Sequence, residues 1–152
     1  MGGFTVKVDS HELNRLVNSV GVFEAKKRLK LEGALKEGAL DIQRHAKQRV
    51  SRGGGKLRKS IKQKFNPRLL QAQVYSNLQY AHLVEFGAKA VTVRPKKKKM
   101  LKFPYMGQTI FRKVADIPER KPRPFLKPAY DYSEQHIIDK VKKALAENEK
   151  IT

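Results

Sequence analysis

The chain has no cysteine among its 152 residues. That absence excludes disulfides and thiolate metal sites. Acidic residues are scarce: 14 Asp and Glu stand against 34 Lys and Arg, for a net charge of +20. Without a cluster of carboxylates, a metal-dependent hydrolase or nuclease has nothing to hold its ion. No stretch approaches the ~18 uninterrupted apolar residues of a membrane span. The start, MGGFTVKVDS, lacks the basic and apolar regions of a signal peptide. Val6 stands where a myristoylation pattern after Gly2 needs Ser or Thr. A soluble, unprocessed chain without membrane contact is the expectation.

Catalytic patterns are missing too. Gly53-Gly54-Gly55-Lys56 resembles a phosphate loop in composition only, because Leu57 follows the lysine and the glycine spacing fails. His11, His45, His82 and His136 are scattered, with no metal-ligand spacing. Ser60 and Ser76 have no evident partner base. The reading is a protein with no catalytic residue, no metal and no cofactor, and not an enzyme.

What is present fits one domain of 39% hydrophobic residues under a basic exterior. Residues 4–8 alternate like a half-buried strand. Asp9 and Glu12 form a capping-box start for a short helix with Leu13, Leu16, Val17 and Val20 on one face, ended by Gly21. A long helix is predicted from Val22 to Val50, with Leu31, Leu35, Gly38, Ile42, Ala46 and Arg49 as its buried stripe. Gly33 and Gly38 weaken its interior by about 1 kcal/mol each, so either a neighbouring backbone packs closely there or the helix kinks. Ser51 to Gly55 stops it and forms a flexible joint.

Beyond the joint the pattern turns to strands. Ile61–Phe65 and Leu70–Tyr75 predict a hairpin around Asn66-Pro67. Tyr80–Phe86 predicts two helical turns closed by Gly87. Val91 and Val93, then Met100 to Phe103, then Thr109–Val114, read as short strands, with Lys96–Lys99 as a protruding turn. Glu85 is expected on the open face of its helix or paired with an arginine. Residues 118–128 hold four prolines and predict an extended arm. Phe125 and Leu126 either anchor that arm on a neighbour or pack it on its own core. Pro128 is placed as the first residue of a last helix, whose buried side is Tyr130, Ile137, Val141 and Leu145, with 148–152 frayed. The fold class is α+β: a mostly antiparallel sheet packed against a long N-terminal helix and a C-terminal helix.

Three segments carry more information together than the charge does. They are Gly55-Lys56-Leu57-Arg58-Lys59-Ser60-Ile61, then Tyr80-Ala81-His82-Leu83-Val84-Glu85-Phe86-Gly87, then Arg123-Pro124-Phe125-Leu126-Lys127-Pro128-Ala129. In this order the chain resembles the tail-completion, gene-product-ten-like family of long-tailed bacteriophages and prophages. Its patterns are G-x-L-R-x-S-I, Y-A-x-x-V-E-F-G-T and R-P-F-L-x-P-A. The stretches Val93–Pro95, Leu101–Pro104 and Ile110-Phe111 look like a longer subgroup. The resemblance spans residues 4–147 and departs at Ala88, where the family has Thr.

The resemblance implies a structural virion protein at the head–tail junction, assembled in the host cytoplasm. As a head–tail joining or tail-terminator component, it would complete the tail and meet the capsid neck as a hexameric ring around the DNA channel. Its partners would be copies of itself, neck or head-closure proteins, tail-tube proteins and, by contact in the channel, DNA. The candidate subunit or inter-ring contacts are Arg58, Glu85, Phe86, Lys96, Lys97, Lys98, Lys99, Arg123, Phe125 and Leu126. Six copies at +20 would carry +120. A strongly basic lumen would resist sliding DNA, so docking of Lys56, Arg58, Lys59 and Lys96–Lys99 on acidic neighbouring rings is the favoured placement. The competing class is a small basic nucleic-acid-binding protein. It explains the charge, but the chain shows neither aromatic–basic interleaving nor a helix-turn-helix or finger pattern.

Overall fold

The computed structural model describes residues 4–7, 11–12, 15–16, 25–51 and 53–146. The longest element, α1 (Ala25–Arg49), is rich in Leu, Ala, Lys and Arg, all strong helix formers. Leu31, Ala34, Leu35, Gly38, Ala39, Ile42 and Ala46 form its buried stripe. Arg49 does not belong to it. The helix ends there, Arg49 is exposed, and Val50 takes the buried position one residue on. Lys47 and Arg49 lie in the last turn, where cations suit the helix dipole.

A second long helix, α4 (Leu126–Ala146), runs antiparallel to α1. Gly38 faces Ile137, and His45 meets the Tyr132 ring edge-on at 4.6 Å. At Gly38 the reason for glycine is steric: an added Cβ would lie 2.6 Å from Ile137 Cγ1. The close neighbour is thus a side chain rather than a backbone. Gly33 has nothing within 4 Å of such a Cβ, so close packing does not explain it. Lys140 closes the helix pair from outside, 3.1 Å from Asp41 and 3.3 Å from Glu37.

On its other side α1 covers a three-stranded antiparallel sheet, order β1-β3-β2. These strands are β1 (Phe4–Lys7), β2 (Ile61–Asn66) and β3 (Gln71–Ser76). In β3 the period of two is plain: Ala72, Val74 and Ser76 are buried and their neighbours are not. Ile61 pairs with Ser76 and Asn66 with Gln71. The turn between them is held by Asn66 Oδ1, which accepts from the N–H groups of Arg68 (3.0 Å) and Leu69 (3.3 Å). Residues from α1, β2, β3 and α4 share one core with Phe125. Each fully buried Leu or Ile there contributes about 1.5–3 kcal/mol.

Four further strands follow: β4 (Val91–Val93), β5 (Leu101–Tyr105), β6 (Gln108–Arg112) and β7 (Ala115–Ile117). They do not extend the main sheet. β4 pairs with β7 and β5 with β6, giving two separate two-stranded ribbons. The chain is α+β as expected, with its strands in three small sheets rather than one. Of the predicted helix over 9–21, residues 11–12 and 15–16 are helical; the rest of it, residues 22–24 and the predicted frayed end at 148–152 lie outside the described residues.

Candidate assembly site

The three sequence segments meet in space, and each has a local task. The first builds α2 (Gly55–Ser60), a short helix absent from the sequence reading. The glycine run before it is a turn closed by Gly54 N–H donating to the Ser51 carbonyl at 2.8 Å. Leu57 is buried. Arg58 reaches back to donate to the Val50 carbonyl at 2.9 Å, satisfying an acceptor at the end of α1. Ser60 donates to the Leu57 carbonyl and shares a 2.7 Å hydrogen bond with Ser76, so α2 is tied to β3.

The second segment forms α3 (Ala81–Phe86), closed by Gly87 at φ +76°. An added Cβ at Gly87 would lie 2.6 Å from the Arg120 carbonyl oxygen, so both conformation and space require glycine. Next to it Ala88 and Arg120 exchange backbone hydrogen bonds of 2.9 and 2.8 Å, and Arg123 N–H donates to the Val84 carbonyl at 2.7 Å. The proline-rich arm is therefore laced to α3 by its backbone.

Glu85 completes the joint. Its side chain is neither on an open face nor paired with an arginine: it is 2% exposed. Oε2 accepts from the N–H groups of Phe125 (2.8 Å) and Leu126 (3.0 Å), and Oε1 from Lys127 (2.8 Å). A helix start leaves four N–H groups without intrahelical partners. Here three go to one carboxylate and the fourth position is Pro128, which has no N–H to satisfy. Pro128 is thus the third residue of α4, not the first, and the extended arm stops at Phe125. A buried carboxylate is tolerable only when so bonded, and the positive end of the helix dipole favours it.

Between the segments lies an open groove of about 750 Å³. Val50, Leu57, Leu83, Val84 and Phe125 give it an apolar floor, and Arg49, Arg120, Lys121, Arg123 and Glu119 a charged rim. None of the four rim cations forms an ion pair among the described residues. The described residues contain no group of three or more His, Cys, Asp or Glu suited to a metal ion.

The candidate contact residues thus divide. Glu85, Phe125 and Leu126 lie inside the protomer. Phe125 and Leu126 pack on the chain's own core, the second of the two alternatives left open by sequence, while residues 118–124 are exposed. Arg58 is engaged with the end of α1. Arg123 is exposed on the groove rim, Phe86 is exposed without lining the groove, and Lys96–Lys99 are exposed on the connection between β4 and β5, also outside its lining. Sequence reasoning missed Arg49, Arg120 and Lys121. The lone signal was their place beside segments that had to meet.

Residues 11–87 match the family described as "Bacteriophage HK97-gp10, putative tail-component". The chain belongs to this family. The match includes the first two segments, Gly55–Ile61 and Tyr80–Gly87, while the third lies beyond it. No curated protein and no solved structure matches the chain. A member of this tail-component family is a structural protein of the virion. Among the described residues no helix is long and apolar enough to cross a membrane.

Proposed function

We propose that this tail component completes the phage tail and joins it to the capsid neck, as a homo-oligomeric ring, hexameric by resemblance, around the DNA channel. The observation that carries the reading is the segment from β4 to β7. Val91, Met100, Tyr105, Met106, Phe111 and Val114 are between 41% and 88% exposed there. A two-stranded ribbon is marginal in water by itself, and apolar side chains left exposed along one such segment offer surface that a partner can cover. A ring requires one patch to meet a different patch on the next copy; these ribbons offer both unpaired strand edges and apolar side chains for that contact. Lys96–Lys99, on the same excursion, suit an acidic face of an adjoining neck or tail-tube ring.

The test is electron microscopy of the purified protein together with complementation of a phage lacking it. Closed rings, and loss of head–tail joining when Lys96–Lys99 are all changed to Ser in a still-folded subunit, are expected. A particle yield unchanged by that substitution removes the basic turn from the reading. The runner-up, a nucleic-acid-binding protein, is favoured by the charge of +20. Tight, salt-sensitive DNA binding by lone subunits would support it instead.

A further inference from the structure

We infer that the groove between α2, α3 and the proline-rich arm is a docking site for an extended acidic segment of a different protein, anchored by an apolar side chain. The inference rests on the assembly reading above and names the partner's chemistry at one site. The floor of Val50, Leu57, Leu83, Val84 and Phe125 offers an apolar seat, and its volume falls in the range of sites that enclose a ligand group. Among the described residues lining the groove, Glu119 is the one carboxylate beside Arg49, Arg120, Lys121 and Arg123. Complementarity therefore asks for negative charge on both sides of an apolar anchor.

The described part of a second copy is a poor source of that charge. Of the described carboxylates, Glu12, Glu32, Glu37, Asp41 and Asp131 are in ion pairs within the chain. Glu85 caps α4, and Asp116, Glu134 and Asp139 accept side-chain hydrogen bonds. Glu119, itself on the rim, is the remaining one. DNA fits less well, because a phosphate backbone has nothing to place on an apolar floor and is met by exposed cations alone. An acidic peptide with a Leu or Phe uses both halves of the groove.

The test is fluorescence anisotropy of the full-length protein with a labelled hexapeptide, two glutamates on either side of Leu-Phe. Two variants are compared. Arg49→Glu with Lys121→Glu, and Lys96–Lys99 all changed to Ser, each lower the net charge from +20 by four. Weakening by about tenfold or more in the groove variant, and by less than about twofold in the lysine-turn variant, is the expected result. Equal loss in both, or equal binding of a hexaglutamate without Leu-Phe, overturns the site. Tighter binding of a short DNA duplex that displaces the peptide overturns the partner class. So does a gain of about tenfold on deleting residues 147–152, which would make this chain's own end the occupant. Circular dichroism and melting check folding; should the Glu variant fail to fold, Arg49→Ser with Lys121→Ser is compared with Lys96→Ser and Lys97→Ser. Rings are scored in the same preparations. Rings without peptide binding defeat the groove alone, and peptide binding without rings defeats the ring alone.

Discussion

The body of α1, α4 and the three-stranded sheet contrasts with the excursion that leaves it at Phe86 and returns at Phe125. Every buried residue described lies in α1, α4, the main sheet or the short helices and turns packed on them, and from Phe86 to Pro124 no residue is buried. The family match ends at Gly87, where that change begins. In the body most apolar side chains pack into one core, with Leu29, Leu40, Leu69 and Tyr132 left exposed at its surface. In the excursion Tyr105 and Phe111 are each 60% exposed, so the stabilisation available from covering them has yet to be used. One chain thus carries a part that buries its own apolar core and a part that buries none of its residues.

The contrast breaks most sharply at the joint between them. Glu85→Ala would leave three N–H groups at the start of α4 without their acceptor. A loss of about 3 kcal/mol is expected in denaturant unfolding, with Glu85→Gln costing less because one amide oxygen still accepts. A loss below about 1 kcal/mol would show that the cap does not hold the two parts together.

Two glycines of α1 sharpen the account of the body. Gly38→Ala pushes a methyl group into Ile137 and should destabilise by about 1–3 kcal/mol. Gly33→Ala meets nothing within 4 Å and should stabilise by up to about 1 kcal/mol through helix propensity. Melting temperatures moving in the same direction would contradict the packing of α4 on α1.

The smallest effect is alkaline. The hydrogen bond to Asp41 holds the Lys140 ammonium above the ordinary value of 10.5, against a smaller opposing effect of burial, with the charges of Asp41 and Glu37 adding to the rise. A raised lysine pKa stabilises fully below 10.5 and is lost as pH climbs through the folded-state value. Lys140 is 40% exposed, so screening limits its contribution to less than about 1 kcal/mol. Lys140→Met should flatten part of the stability decline between about pH 9 and about pH 12. An identical decline in both proteins would remove this ion pair from the account.

The body was largely legible in sequence because its signals are local and repeated. Leu31, Leu35, Ile42 and Ala46 on α1 and Ile137 and Val141 on α4 recur at helical spacing, and Asn66-Pro67 marks its turn. Arg49 was misplaced because spacing alone does not say that a helix ends one residue before Val50. Glu85 and Pro128 were misread for a different reason: the cap joins residues about forty apart, and no window of sequence contains it. The split into three sheets escaped notice because short strands such as β7 are decided by their partners. The third segment was visible as a pattern, yet its burial was not, since Phe125 and Leu126 read equally well as anchors for a neighbour.

Hydrogen exchange of residues 91–117, in the isolated subunit and again in mature particles, tests the division most directly. The account predicts fast exchange in the subunit, strong protection in the particle, and slow exchange of α1 and α4 in both. Exchange from 91–117 that is equally fast in the particle would contradict it.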